Sequence, residues 1–138
     1  MKKLLLILTL ALFAGFTMQA QDDDNDKIRD KMREFIQKRL NLSRNEAERF
    51  SPVFVRYFKD WRQTLRENKE DVLFRQQKIA ELRIRYRDEF RGIVGEKKSN
   101  DVFKQQEVFI DQLKKMREDQ MKNRRDDRIN KRFRALTQ

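Results

Sequence analysis

The side chains that most often carry out chemistry are missing from this sequence. Its 138 residues include no His and no Cys. That removes the commonest general base, the thiol nucleophile and most transition-metal ligands. Beyond the first twenty residues, Ser43, Ser51, Ser99, Thr64 and Thr137 read as cap, turn or surface residues. Asp and Glu are plentiful, but they alternate with Lys and Arg at spacings of three and four, the pattern of ion pairs along helices. The acidic cluster from Gln21 to Asp26 has the ligand type for a divalent cation, yet a chain end lacks the fixed geometry such a site needs. The expectation is a protein that is not an enzyme, with no catalytic residues, no cofactor and no metal.

What remains is charge and apolar surface. The chain carries 34 Lys and Arg against 23 Asp and Glu, a net charge of +11. Arg83, Arg87 and Arg91 stand four apart, with Arg85 nearby. Such a ridge suits acidic segments of an unfolded protein, lipid A phosphates or nucleic acid; a solvated helix face accounts for it equally well. Phe74 and Ile84 fall off the apolar stripe of their segment, and Tyr86 lies on it. These three, with Arg83, Arg87 and Arg91, are the candidate binding residues.

The elements that must position them are helices. Ser43 followed by Glu46 is a capping box: the Ser oxygen accepts from the backbone N–H of Glu46, and the Glu carboxylate reaches back to the cap N–H. From there Ala47, Phe50, Phe54, Tyr57, Phe58, Trp61 and Leu65 recur at three and four, which makes one helical face. A face so rich in aromatics needs a partner surface. Pro52 lies inside the pattern and predicts a kink near Ala47–Glu48 rather than a break.

Around this stretch the chain divides into four parts. Residues 1–20 carry Lys2 and Lys3, an uncharged apolar run from Leu4 to Phe16, and a small residue, Ala20; this reads as a cleaved secretory signal peptide. The run is too short for the roughly 17–25 residues that span a bilayer. Residues 21–26 form an acidic lead, 27–118 the helical domain, and 119–138 a basic C-terminal extension. Removing the leader leaves about 118 residues and a charge of +9, one small domain. With 41% charged residues, three Gly and one Pro, the composition is that of long solvated helices.

A first helix is expected over Lys27–Leu40, with Ile28, Met32, Phe35, Ile36 and Leu40 on one face. The second fades near Glu67–Lys69, where either a break or one bent helix satisfies the pattern. The third runs from about Glu70 to Val94 on a stripe of Val72, Gln76, Ile79, Leu82, Tyr86, Phe90 and Ile93. Gly92 and Gly95 end it. The fourth starts near Glu96 and buries Val102, Phe103, Gln106, Phe109, Ile110, Leu113 and Met116. Past Glu118 the stripe is lost, and a helix that frays into a basic tail is expected.

The motif Leu42-Ser43-Arg44-Asn45-Glu46 resembles a diverged Leu-Thr-x-x-Gln motif of the Spy/CpxP family of periplasmic helical proteins. Phe50-Ser51-Pro52-Val53-Phe54 with Tyr57 is similar to the Phe-x-Pro-x-aromatic run of Bacteroidetes-type members. Val94 to Lys98, then Val102, Phe103, Glu107 and Phe109, sits where the second motif and its helix fall. Ser43 and Glu46 keep the first cap; Gly95 and Lys98 replace the residues of the second, predicting a loose start to the fourth helix. Leu42, Ser43, Glu46, Phe50 and Pro52 are then motif residues with structural roles.

The resemblance implies an all-α, four-helix fold of elongated antiparallel hairpins that forms a cradle-like homodimer. It implies a periplasmic, ATP-independent holdase that binds unfolded or misfolded envelope proteins. The alternative is an envelope-stress adaptor or sensor that engages an inner-membrane sensor or an anti-sigma factor in an ECF-type pathway. Some relatives sense nickel or zinc through His-rich sites, which this chain lacks. A secretory leader removes nucleic acid as a partner. The basic extension lacks a continuous apolar face, so membrane contact is expected to be weak at most.

Overall fold

The computed structural model describes residues 23–137; the expected leader and the first residues of the acidic lead lie outside them. Four helices account for nearly all of this span: α1 at residues 23–39, α2 at Arg44–Glu67, α3 at Val72–Val94 and α4 at Glu96–Leu136. The fold is all-α, and no strand occurs among the described residues.

Local chemistry sets each junction. Asn41 adopts a left-handed φ of 50°, a conformation Asn tolerates better than most residues. Its N–H donates to Lys38 O at 3.1 Å and that of Leu42 to Gln37 O at 3.1 Å, closing a tight corner. Ser43 then caps α2 as expected: its Oγ accepts from Glu46 N at 3.1 Å, and its own N–H donates to Glu46 Oε1 at 3.1 Å. The helix runs unbroken through Pro52. Ser51 Oγ donates to Ala47 O at 2.8 Å and accepts from Gln37 at 2.9 Å, tying this part of α2 to α1.

α2 and α3 are separate helices. Asn68 leaves helical geometry, its side chain donating back to Thr64 O at 2.8 Å, and Asp71 caps α3 by accepting from Phe74 N at 2.9 Å. Arg75 ties the turn down by donating to Lys69 O at 2.9 Å. At the next junction Gly95 takes φ of +86°, the left-handed region that a Cβ makes costly.

Contacts between helices fix an up-down-up-down ring. Gln37 meets Ser51 while Asn25 meets Arg62, so α1 and α2 are antiparallel. Arg49 reaches Gly92 O and Arg56 reaches Glu89, so α2 and α3 are too. Arg83 meets Glu107 while Arg91 meets Glu96, which sets α3 against α4. Phe35 packs on Phe109 and Arg39 on Gln105, which closes α4 onto α1.

The aromatic face of α2 finds its partner surface inside the same chain. Phe50, Phe54 and Tyr57 are fully buried, with Phe58 and Trp61 nearly so. Tyr57 lies at the centre, its ring 5.3 Å from Tyr86 and 5.3 Å from Phe103. Burying each such side chain stabilises by about 1.5–3 kcal/mol, so this one face dominates the core. Val53, absent from the expected stripe, joins it.

Three expectations are corrected. On α3, Val72 and Gln76 are exposed, Ile79 and Ile93 only half-buried, and Val94 is buried in place of Ile93. The fully buried part of the stripe starts at Leu82. On α4, Met116 is exposed, since the bundle has ended by that level. The basic extension does not fray: α4 continues without interruption to Leu136, with every residue from Lys114 to Thr137 exposed. No Gly or Pro interrupts it, and Lys, Arg, Gln and Met keep high helix propensity where no core is available.

Candidate functional site

The predicted binding residues do not form one patch. Tyr86 is 7% exposed and its hydroxyl donates to Asp60 Oδ2 at 2.6 Å. Burial first, and the Asp60 carboxylate second, push its pKa up to about 12. It is a core residue and offers no apolar surface, which corrects its assignment as a binding residue.

Arg83 is likewise engaged. Its guanidinium donates to Gln106 Oε1 at 3.1 Å, to Tyr57 Oη at 3.3 Å and to Glu107 Oε1, while its carbon lies 5.6 Å from the centre of the Phe103 ring. Gln106 is fully buried and also accepts from the Tyr57 hydroxyl. Burial pulls the Arg83 pKa down, but Tyr57 and Glu107 outweigh it and hold the guanidinium above its usual value. Arg91 pairs with Glu96 at 2.6 Å and Asp88 at 3.4 Å. Arg87 is half-buried, with an Nε that has no hydrogen-bond partner. Arg83 and Arg91 therefore tie α3 to α4, and Arg91 remains exposed while doing so.

Phe74 and Ile84 are exposed, as their off-stripe positions require, at 44% and 54%. Phe74 is capped by Lys78, whose Nζ lies 5.1 Å from the ring centre. Ile84 sits at the edge of a groove that sequence reasoning did not find. The groove has a volume of about 620 Å³ and runs between the end of α2, the first half of α3 and the middle of α4. Trp61, Leu65, Ile79, Ala80, Ile84 and Ile110 form its apolar lining; Arg83, Glu107 and Lys114 stand at its edges. Gln76 of α3 lines it as well. Leu73, 78% exposed, is eleven residues from Ile84, three helical turns along nearly the same line of α3.

The motif residues serve structure. Leu42 packs against the core and Phe50 is fully buried. Ser43 lowers the pKa of Glu46 chiefly through its backbone N–H, with help from Lys98. Lys98 reaches Glu46 Oε1 at 3.4 Å and Asn41 O at 3.5 Å. α4 has no side-chain cap at Gly95, yet this bridge, the Arg91–Glu96 pair and a fully buried Ser99 hold its first turn. The expected loose start is not observed.

Among the described residues no cluster of acidic side chains is arranged to hold a metal ion. No helix among them is long and apolar enough to cross a membrane. Comparison with protein-family models, with curated proteins and with solved structures finds no match to this chain.

Proposed function

We propose that the protein is an ATP-independent holdase that takes short apolar segments of unfolded envelope proteins into the groove between α2, α3 and α4. The observation that carries this reading is the groove itself: Trp61, Leu65, Ile79, Ile84 and Ile110 line an open channel between three helices. Leu73 and Phe74 extend apolar surface along α3. Lys114 adds positive charge at its edge, beside the Arg83–Glu107 pair. Charge attracts an acidic segment from a distance, and the apolar floor then holds it weakly. Weak, many-partner binding needs no catalytic group. The secretory leader expected at residues 1–20 supports a periplasmic setting for this activity.

A homodimer, which the family resemblance implies, is not needed to cover the α2 aromatics. It would be built on Leu73, Phe74 and Ile84, turning two grooves into one concave surface. Sedimentation of the chain from Gln21 onward reports whether the mass is that of one copy or two.

The function is tested by light scattering from a reduced, aggregating client at several-fold excess of the protein. Suppression that weakens with salt is the expected result. Leu73→Glu combined with Ile84→Glu alters two exposed positions, so the bundle stays folded while suppression is lost. Unchanged scattering with the wild-type chain sinks the reading. Saturable capture of a single inner-membrane protein, with no protection of clients, points instead to an envelope-stress adaptor.

A further inference from the structure

The exposed half of α4 is an element without a partner. Beyond Glu118 it leaves the bundle, because α3 ends opposite that level. The pairing of Arg83 with Glu107 and of Arg91 with Glu96 puts Val72 beside residues near 118. Residues 114–138 carry ten Lys and Arg against four Asp and Glu. Among the described residues the ion pairs of the protein reach only as far as Glu107 along α4, so these cations are not neutralised by the fold.

The same segment exposes Ile129 at 49%, Phe133 at 67% and Leu136 at 84%. Their spacing of four and seven gathers them within an arc of about 60°. Arg125 and Arg132 lie along one edge of that arc, Arg128 just beyond them, and Lys122 falls within it. A short apolar arc with arginines along one edge, and Asp126 as the acid beside the other, is the pattern of a helix lying in the headgroup region of a bilayer rather than of a helix seated in a protein groove.

We infer that residues 119–136 dock the protein, reversibly and through charge, onto an anionic phospholipid surface. Self-pairing of two extensions would bring two strongly cationic segments side by side, and repulsion opposes it. Nucleic acid would neutralise the arginines but leave Ile129, Phe133 and Leu136 without a role. A lipid interface uses both features: phosphates take Lys122, Arg125, Arg128 and Arg132, and the acyl boundary takes the apolar triad. Three apolar residues are too few for stable anchoring, so attachment depends on the charge of the bilayer. This inference is independent of the groove and of the function proposed for it.

The test is flotation with vesicles of phosphatidylcholine alone or with one third phosphatidylglycerol. It uses the chain from Gln21 onward, which holds every core residue and lacks the apolar run Leu4–Phe16 that would itself bind lipid. The protein is expected to float with the anionic vesicles only, and to be released by high salt. Arg125→Glu, Arg128→Glu and Arg132→Glu together should weaken binding by at least about tenfold. Ile129→Ser, Phe133→Ser and Leu136→Ser together should also abolish flotation, while urea midpoints of both triple variants match the wild type. The inference is overturned by no flotation with anionic vesicles, by equal flotation with neutral ones, or by an apolar triple variant that floats undiminished. Binding of a DNA duplex or an acidic polypeptide in place of vesicles also overturns it.

Discussion

The phenol of Tyr86 donates to Asp60 Oδ2 at 2.6 Å across the α2–α3 interface. A carboxylate that accepts from a phenol stabilises its neutral form, and burial acts in the same direction. The Tyr86 pKa is raised from 10.0 to about 12, and Tyr57, pushed up mainly by burial, is shifted the same way. In the unfolded chain both ionise near the ordinary value. Their contribution to stability is therefore complete below pH 10 and is lost as pH rises towards 12. Absorbance titration should show no tyrosinate near pH 10 in the folded protein and full ionisation in denaturant. Asp60→Asn should bring the Tyr86 titration down; if it does not move, the hydrogen bond has been misread.

A second prediction concerns the buried polar triad. Tyr57 and Arg83 both donate to Gln106 Oε1, whereas Gln106 Nε2 finds no acceptor. Gln106→Leu strips two donors of their acceptor, at a cost of about 1–3 kcal/mol, offset in part by removing the orphaned amide. Tyr57→Phe removes one of those donors. The double variant should then be more stable than the two single losses added together imply, because the second change no longer strands a hydroxyl. Urea unfolding of the four proteins measures this coupling, and strict additivity would rule it out.

The cap at Ser43 supplies a third. Ser43→Ala leaves Glu46 N–H without its acceptor and should cost about 1 kcal/mol. Glu46 itself sits below its ordinary value, chiefly because of the Ser43 backbone N–H. A depressed carboxylate contributes stability above its ordinary pKa of 4.5, and loses it as pH falls through the folded value. Thermal midpoints of the wild type should therefore drop more steeply below that pH than those of Glu46→Gln. Parallel curves for the two proteins would count against the cap as a source of acid sensitivity.

Much of this fold is legible before any coordinates. The Ser43–Glu46 box and the recurrence of Phe50, Phe54, Tyr57, Phe58 and Trp61 give the start and the buried face of α2, because both depend on backbone geometry and helical period alone. Other features need the third dimension. Periodicity puts Tyr86 in a stripe but cannot say that Asp60 meets its hydroxyl. Nor does it distinguish an arginine in water from Arg83, which is held by Gln106 and Glu107. The groove is lined from three helices, by Trp61 and Leu65, by Ile79 and Ala80, and by Ile110, and shows only once α2 and α4 are beside α3. The far half of α4 misleads for a different reason: the apolar stripe reports burial, and its loss past Glu118 says nothing about whether the backbone stays helical.

That distinction leads to the final prediction. Every residue from Lys114 to Thr137 is exposed, so removing residues 119–138 deletes no packing. Surface changes of this kind usually shift stability by less than about 0.5 kcal/mol. The truncated chain should keep its urea midpoint while losing far-UV helicity and shrinking in hydrodynamic radius. Hydrogen exchange carries the argument further, because a lone helix gains stability from propensity and little else, and such helices are marginal in water. Amides of residues 119–136 should exchange far faster than those around Phe50, Tyr57 and Phe90, whose opening requires the core to separate. Anionic vesicles should slow the exchange of that segment alone. Protection as high in the extension as in the bundle, in the absence of any partner, would mean that a surface outside residues 23–137 already covers it.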